Sequence, residues 1–595
     1  MRFRELSLFI VCIISISALL IGQSTVNHHL WEVYERYKVS PPNQSTLKHS
    51  EMMEILERIS REHPTIIKVE QVGKSVEERS INLVTVGSGP KKILLWSQMH
   101  GDEPTATCAL LDILNYMSKN LDVHFVRDIL TQTTLLIIPM LNPDGAERFT
   151  RRNTQDIDIN RDARYLQSPE GRILKRVQEK YSPEFGFNLH DQGTRGTVGR
   201  THKVAAISLL SPPYDYEDND NETRILSKKV AAVFYESIAP FVYGFVSMYD
   251  ADYMPYSFGD SMQSCGVSTI LIESGGWTGA DRSILVKINF VGLLSVICSI
   301  AEGDYLDANP ALYDGLRRSG KHDLFDLKIS KVMVMNGMDA PPFRADIGIN
   351  YSFKQTPDGP IIEHASISDI GDLGVTSGKM EIDGSNLIVT PGFIAFDPEL
   401  NPEDIPLGLD IQSLMKQGIL TIIGEVDLTN REQLKKLGDI TSFSNGINTG
   451  FIGNAVKFPE NPSADDRDLY VYALTRPLLS LCTRSMPDAF SKYVDWFGIQ
   501  ENILEEFSLS QISDVLSAEE IVELTSRISR KLGLGSRGVI RRGAPADLLL
   551  FEMGEAKVYP ESLNLSALKI ILYNGEVVFK DGSFLKQPEG QLLRR

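Results

Sequence analysis

The chain has 595 residues, 42% of them hydrophobic and 23% charged, and at ~150 residues per domain it is long enough for roughly four domain-sized units. It has 60 basic and 78 acidic residues, a net charge of −18, so it would repel a phosphate backbone, which argues against nucleic acid as a partner. Its five scattered cysteines exclude a disulfide scaffold and a cysteine-rich zinc module. Any metal must therefore be held by histidines and carboxylates.

The amino terminus has the pattern of an export signal. A short basic start at 1–4 precedes an uncharged apolar run at 6–22, and polar sequence follows. A run of ~17 residues is at the short end for a bilayer span, although a signal anchor or a buried helix has the same composition. We predict a signal peptide at 1–24, an exported protein that is periplasmic or extracellular, and no stable membrane span after signal removal. We expect no later stretch to be long and apolar enough to cross a membrane.

Between residues 25 and 305, short apolar strands alternate with amphipathic helices. This alternation predicts an α/β domain around a mainly parallel sheet. The predicted strands include 91–97, 134–139 and 268–272, and the predicted helices include 103–119, 170–180 and 222–237.

The remainder of the chain has a different pattern of apolar and turn-forming residues. Residues 306–325 contain glycines and an Asn-Pro pair and are predicted to be a linker. The region 326–595 begins with β-like alternation and turn pairs such as Asn-Gly and Asp-Gly, and strand-like sequence returns near its end. We predict a mostly β accessory region with a helical insertion at 511–535.

The first motif with chemical meaning follows the predicted strand at 91–97. His100 and Glu103 lie three residues apart at a strand-to-helix turn, where both can reach one ion. In open α/β sheets, ligand groups collect at the carboxyl edge of the strands. An isolated pair of this kind also fits a turn histidine followed by a glutamate that stabilises a helix N-terminus. Its meaning therefore depends on the other motifs.

Two further residues follow β-like runs. His190 completes a set of two histidines and one glutamate, which leaves the fourth position of a tetrahedral zinc open for water. Glu273 comes directly after a strand that should be buried. Burial raises the pKa of a carboxyl group and a nearby zinc would moderate the shift, so Glu273 is a candidate general base near neutral pH.

The segment 142–162 concentrates arginine and amide side chains. Arginine can bind a carboxylate through two parallel hydrogen bonds. The segment is therefore suited to an anionic group.

In chain order, these motifs resemble the zinc carboxypeptidase (metallocarboxypeptidase) family over about 50–300. The motifs are His100-x-x-Glu103, Asn142-Pro143-Asp144-Gly145, Asp158-x-Asn160-Arg161, His190 and Glu273. The resemblance implies a mixed sheet flanked by helices, one zinc ion per chain and a peptide substrate with a free C-terminus. It also implies residue roles: zinc ligands His100, Glu103 and His190; general base Glu273; Asp158 orienting a ligand histidine; Asn160 and Arg161 binding the substrate carboxylate; and Arg151 polarising the scissile carbonyl.

The resemblance leaves three points open. Arg152 is next to Arg151, so the carbonyl-polarising arginine is fixed only to within one position. The substrate-capping tyrosine could be Tyr249, Tyr253 or Tyr256, of which we predict Tyr253. Many relatives have Asn and an aromatic residue where this chain has Asp162 and Ala163, and the side-chain preference, expected to depend on 258–260, is not fixed by the sequence.

A second resemblance concerns the accessory region. Stretches at 389–394, 532–540, 543–551 and 573–578 are similar to the β-sandwich and flanking segments of amidohydrolases, notably the D-aminoacylase type. The His-x-His metal pair of those enzymes is absent, and His364 is the only histidine after residue 330. The ~150 residues between the matching parts cannot form a (β/α)₈ barrel of roughly 250 residues. We expect this region to be non-catalytic.

The sequence thus predicts an exported zinc-dependent metallocarboxypeptidase that hydrolyses C-terminal peptide bonds. Relatives with the same constellation lead to two alternatives, a peptidoglycan-peptide peptidase and an N-acyl amino acid deacylase. A third alternative is a non-catalytic protein that binds peptide carboxylates, against which the intact ligand set and Glu273 argue.

Overall fold

The chain divides into two compact units. The first ends at Leu324 and also takes in Gln355–Ile361, and the second consists of Phe325–Lys354 and Ile362–Arg595. The predicted signal peptide lies outside the described residues. The computed structural model describes residues 26–41, 46–277, 283–320, 324–336, 341–356, 359–397, 415, 419–427, 448–454, 478–482, 522, 525–527, 529, 534, 537–553 and 567–585.

An eight-stranded mixed sheet lies at the centre of the first unit. Its strands are β1 (Ile67–Lys74), β2 (Ser80–Gly87), β3 (Lys91–Ser97), β4 (Thr133–Ile138), β5 (Phe185–Asp191), β6 (Ile207–Leu210), β7 (Val246–Met248) and β8 (Ser268–Ser274). Their order is β1-β2-β4-β3-β5-β8-β6-β7. The central strands β4, β3, β5 and β8 are parallel, whereas β2 and β6 join them antiparallel at the two sides. The predicted α/β fold with a mixed sheet is confirmed.

Helices flank the sheet. They are α1 (26–37), α2 (His49–Glu62), α3 (Thr105–Lys119), α4 (His124–Gln132), α5 (Pro143–Arg148), α6 (Pro169–Tyr181), α7 (Glu222–Val242), α8 (Phe258–Ser264), α9 (Ser283–Glu302) and α10 (Ala311–Asp314). Alternate strand residues point to opposite faces, so β3 contributes Leu95 to a core shared with α3, α7 and α9. Its neighbours Leu94 and Trp96 join a second core with α6 and α8.

Helix α9 is apolar along its length. It is the one helix, in the part of the chain that the structure describes, that is long and apolar enough to cross a membrane, but most of it is buried in the first unit. The expectation that no later stretch has this length and apolarity is therefore wrong. A helix that is hydrophobic all round is buried in a membrane or in a large core, and α9 lies in a core, with Ile288, Phe290 and Leu294 inaccessible to solvent.

A buried carboxylate attaches the N-terminal segment to the first unit. Asp112 of α3 is inaccessible to solvent. One of its oxygens accepts hydrogen bonds from the backbone N–H groups of Val39 (2.7 Å) and Ser40 (2.8 Å), and the other accepts from the hydroxyls of Tyr34 (3.1 Å) and Ser40 (3.0 Å). All four groups donate, which suits an ionised carboxylate because it only accepts. Burial raises the pKa of Asp112, and these hydrogen bonds oppose that rise.

We expect Asp112→Ala to lower the free energy of unfolding by about 3 kcal/mol, because buried donors would lose their partner. Urea denaturation followed by tryptophan fluorescence measures the change. As a control, Asp122→Ala removes an exposed aspartate between α3 and α4 and should change stability by less than ~0.5 kcal/mol. Equal midpoints for the two variants would contradict the role of Asp112.

Residues 306–320 of the predicted linker contact the first unit. The Lys229 ammonium group donates to the carbonyl of Leu306. The buried Tyr313 hydroxyl accepts from the Ser211 backbone N–H at 2.9 Å. The boundary between the two units falls after Leu324.

The second unit is mostly β, as predicted. Its larger sheet contains β9 (Leu324–Val334), β10 (Phe343–Thr356), β11 (Gly359–Gly371), β12 (Ser377–Asp383), β13 (Leu387–Pro391), β18 (Leu548–Glu552), β19 (Leu568–Tyr573), β20 (Glu576–Lys580) and β21 (Ser583–Phe584). A separate parallel sheet, which the sequence analysis did not predict, contains β14 (Phe393–Asp397), β15 (Ile419–Asp427), β16 (Asn448–Asn454) and β17 (Leu478–Cys482). Of the predicted helical insertion, 525–527 are helical, and most of 511–535 lies outside the described residues.

Candidate metal centre and active site

Three adjacent parallel strands bring the predicted site residues to one edge of the sheet. His100 follows β3, His190 is the sixth residue of β5, and Glu273 is the sixth residue of β8. His190 and Glu273 are register partners in the β5–β8 ladder, so their side chains lie side by side on one face. All three residues are buried, with at most 7% of their surface exposed.

A close backbone contact fixes the turn after β3. A Cβ atom on Gly101 would lie 2.0 Å from the carbonyl carbon of Gly145, and one on Gly145 would lie 2.8 Å from the Thr150 carbonyl oxygen. Neither distance is compatible with a side chain. The two glycines therefore let the turn that carries His100 pack directly on helix α5.

His100, Glu103 and His190 meet in the interior. The Nδ1 atoms of both histidines lie 2.7 Å from the Glu103 carboxylate, one on each oxygen. Burial acts to raise the pKa of Glu103, but the two histidines outweigh it and lower that pKa to about 2. Burial acts to lower the pKa of His100, but Glu103 and Asp158 outweigh it and raise that pKa to about 9. Burial lowers the pKa of His190.

This group of side chains fits a zinc ion. One ligand atom from each of His100, Glu103 and His190 lies within 4.8 Å of the others. Two imidazole nitrogens and one carboxylate oxygen are the donor set of a catalytic zinc, with a fourth position left for water or substrate. A cation between the three groups would take the place that shared protons occupy in their hydrogen bonds.

Asp158 and Arg151 form the outer contacts of this centre. Asp158 accepts from His100 Nε2 at 3.1 Å, which leaves Nδ1 for the ion and fixes the ring. Burial would raise the pKa of Asp158, but His100, Arg151 and Arg161 lower it below its ordinary value. The Arg151 guanidinium lies 3.0 Å from Asp158 and 3.3 Å from Glu103. The neighbouring Arg152 instead bonds the Asp156 carbonyl at 2.7 Å and is exposed.

Asn142 is a site residue whose part the sequence analysis missed. Its side-chain oxygen accepts from the Gly145 backbone N–H at 2.9 Å and caps helix α5, while its amide nitrogen lies 3.3 Å from the Arg151 carbonyl oxygen. One side chain thus joins the start of α5 to the loop that carries Arg151. Asn before Pro at a helix start is a recognisable capping pattern, and this pattern could have indicated the role.

A cavity of about 260 Å³ opens beside the three candidate ligands. Arg161 lines it, and the Arg161 guanidinium donates a hydrogen bond to the Asn160 carbonyl at 2.8 Å. In the described part of the chain, Arg161 has no carboxylate within ion-pair distance. The Asn160 side chain lies 3.4 Å from His190 Nε2 and accepts from the Phe258 backbone N–H at 3.0 Å. Other lining residues are Arg151, Gln192, Gly193, Leu210, Met254, Asp260 and Leu271.

Glu273 faces this cavity from β8. Burial, followed by the charge of Glu103, raises the pKa of Glu273 well above its ordinary value. A carboxyl group with a raised pKa can gain and lose a proton near neutral pH.

The structure places Tyr249, and not the predicted Tyr253, on the cavity. Tyr249 lines the cavity, and the charge of Glu273, followed by burial, raises its pKa to about 12. Tyr253 is not among the described lining residues. Its hydroxyl lies 3.3 Å from Ser264, and its ring packs edge-on to Tyr216. Tyr249 directly follows β7, where its backbone N–H bonds the Leu209 carbonyl at 2.8 Å. Tyr249 is therefore a second candidate for the substrate-capping residue, and Tyr253 stays a prediction.

Two acidic residues near the cavity have structural partners. Asp162, where the sequence departs from many relatives, is buried and accepts from the backbone N–H groups of Gln167 and Ser168, each at 2.7 Å. Asp260 lines the cavity, and its carboxylate accepts from the Ser257 hydroxyl and from the Met254 backbone N–H. Both carboxylates therefore hold loops at the cavity wall.

Part of the chain is similar in sequence to known proteins. Residues 52–254 match the family model described as zinc carboxypeptidase, so this part of the chain is similar to the zinc carboxypeptidase family. Carboxypeptidase D of Mus musculus is 30% identical over 216 residues, which cover 32% of this chain and 14% of the mouse protein. Carboxypeptidase 2 of Trichophyton rubrum is 28% identical over 146 residues, which cover 24% of this chain and 27% of the fungal protein.

The match spans less than a third of the length of either of these curated relatives. Among solved structures, the metallo-carboxypeptidase from Burkholderia cenocepacia is 16% identical with a TM-score of 0.36. That match covers 44% of this chain and 70% of the other.

Proposed function

We propose that this protein is a zinc-dependent metallocarboxypeptidase that removes residues from the C-terminal end of peptides. The observation that carries the proposal is Arg161, which lines the cavity beside the candidate ligands and has no carboxylate partner among the described residues. An arginine without such a partner beside a hydrolytic centre suits the free carboxylate of a substrate.

His100, Glu103 and His190 would hold the zinc, and Asp158 would keep the His100 ring in place. When bound, zinc lowers the pKa of its water and polarises a carbonyl group. The resemblance, the family match and the convergence of three buried ligand atoms support this assignment.

Glu273 acts as the general base in this proposal. It takes a proton from the attacking water and passes it to the leaving amine, so that the peptide bond is replaced by a carboxylate and an amine. Its burial beside the cavity and the upward direction of its pKa support the role.

Arg151 and Tyr249 complete the site. The Arg151 guanidinium, held against Asp158, stabilises the negative charge that develops on the carbonyl oxygen. Tyr249 closes over the substrate, while Arg161 and Asn160 bind its terminal carboxylate. The Asn160 side-chain nitrogen lies 3.4 Å from His190 Nε2, which supports a carboxylate site next to the metal.

We further propose that the protein is exported, on the strength of the basic and apolar amino terminus, and that 326–595 is a non-catalytic accessory region. Of the described residues, those that could gather around one ion are the three in the first unit. The accessory region would stabilise the peptidase domain or recognise a partner.

Arg161→Ala should lower kcat/KM for a peptide with a free C-terminus by ~10² or more, because a charge-assisted bidentate contact is lost. The same peptide with a C-terminal amide should change less than about threefold, since it lacks the charge that arginine binds. Arg152→Ala is the matched control and should behave like the parent protein. Parallel hydrolysis assays on both peptides compare the two variants with the parent protein.

Equal losses on both peptides would contradict carboxypeptidase activity and would favour an endopeptidase. Selective hydrolysis of N-acyl amino acids or of peptidoglycan peptides would instead support the related alternatives. Tight binding of free-ended peptides without turnover would support a binding protein.

A further inference from the structure

The chain that leaves the first unit covers the outer edge of β7. The Met248 backbone N–H donates to the Arg317 carbonyl at 2.8 Å, and the Ser319 N–H donates to the Met248 carbonyl at 2.7 Å. Arg318 thereby pairs in parallel with Met248. A three-residue strand at a sheet edge otherwise presents unpaired backbone groups, so 317–320 extends the sheet by a further short strand. We call 317–320 the rim strand.

The rim strand also bonds a second loop that reaches the cavity. The Gly199 backbone N–H donates to the Arg318 carbonyl at 2.9 Å, and the Gly320 N–H donates to the Thr197 carbonyl at 2.7 Å. The loop at 192–199 begins with Gln192 and Gly193, which line the cavity. The rim strand is therefore bonded to two loops, each of which contributes residues to the cavity lining.

The position of Tyr249 depends on these contacts. Its own N–H is bonded to Leu209 of β6, and the preceding residue, Met248, is bonded to the rim strand through both its N–H and its carbonyl. Asp250, the residue after it, pairs with the Arg318 guanidinium. The next two residues, 251 and 252, line the cavity. Parallel pairing over so few residues is weak, and segments with few fixed contacts open readily.

We propose that the rim strand positions Tyr249 over the substrate, which makes Arg318 and Ser319 positioning residues for the peptidase reaction. The inference rests on the proposed function, because it acts through the substrate-capping role of Tyr249. It also extends the working peptidase domain to Gly320, into the segment predicted as a linker. The rim strand itself does not line the cavity among the described residues.

Ser319→Pro in the full-length, zinc-loaded protein tests the proposal. Proline removes the N–H that bonds Met248, whereas the control Ser319→Ala keeps it. Ser319→Pro should lower kcat/KM for a free-ended peptide by about tenfold or more, mainly through KM, because small displacements of a positioning group are costly. Ser319→Ala should stay within about twofold of the parent protein, as expected of a surface substitution that keeps the backbone bond.

A second step asks whether the effect passes through Tyr249. In a Tyr249→Phe background, Ser319→Pro should have much less effect than in the parent protein, because residues that act as a unit are not additive. Unchanged kcat/KM in Ser319→Pro, or a full additive loss in the Tyr249→Phe background, would overturn the proposal. If the unmodified zinc-loaded protein has no peptidase activity, the proposed function itself is contradicted.

If Ser319→Pro loses zinc or fails to fold, exchanging the charges of Arg318 and Asp250 provides a second test of the proposal. Arg318→Glu places like charges opposite Asp250 at the exposed surface and should raise KM several-fold with zinc content unchanged. Adding Asp250→Arg restores opposite charges and should return KM toward that of the parent protein. Absence of either the loss or the rescue would overturn the proposal.

Discussion

Replacing Glu273 with glutamine is expected to reduce kcat by at least ~10², because a general base contributes typically 10²–10⁴-fold to such a reaction. Glutamine has nearly the same shape but cannot accept the proton of the attacking water. Zinc content and KM should change little, since Glu273 is not one of the three candidate ligands. Steady-state kinetics and elemental analysis on the same preparation measure both quantities.

Glu236→Gln is a suitable control for this experiment. Glu236 lies on α7, and burial alone raises its pKa, so the substitution repeats the chemical change away from the cavity. It should leave kcat unchanged. Near-normal turnover in the Glu273 variant would rule out the proposed role.

His190→Ala is expected to reduce the zinc content from about one ion per chain to a small fraction of that value, because a three-residue site loses one of its ligands. The first unit should stay folded, since the main cores contain other residues. His202→Ala, at an exposed position outside the cavity, should keep its zinc. Stoichiometric zinc in the His190 variant, measured by elemental analysis, would refute the ligand assignment.

The sequence predicted the fold and the gathering of the three candidate ligands because both depend on local signals. His100, His190 and Glu273 each stand at the end of an apolar run, and parallel strands bring their carboxyl ends to one edge. The β-rich character of the second unit was likewise predictable from local sequence signals. Its parallel sheet was not predicted, because its strands are separated by long segments that carry no comparable alternation.

The sequence near Tyr249 and Tyr253 does not contain the information needed to choose between them. Spacing along the chain leaves both residues in one loop, and what separates them is where the short strand β7 ends. That end is fixed by Leu209 and by residues 317–319, which lie about seventy positions later in the sequence. The contacts of Asn142 and of the rim strand likewise join segments that are not linked by any repeating pattern in the sequence, so they could not be predicted from it.

The contact between Gly101 and Gly145 bears on how active and inactive proteins with this fold should be told apart. Both glycines are required by backbone packing alone, so a descendant that had lost its chemistry would still need them to fold. Their presence therefore indicates a shared architecture. Under the proposed function, loss of activity would first be visible as substitutions at His100, Glu103, His190 or Glu273. A sequence survey that took the two glycines as evidence of activity would classify inactive homologues as active enzymes.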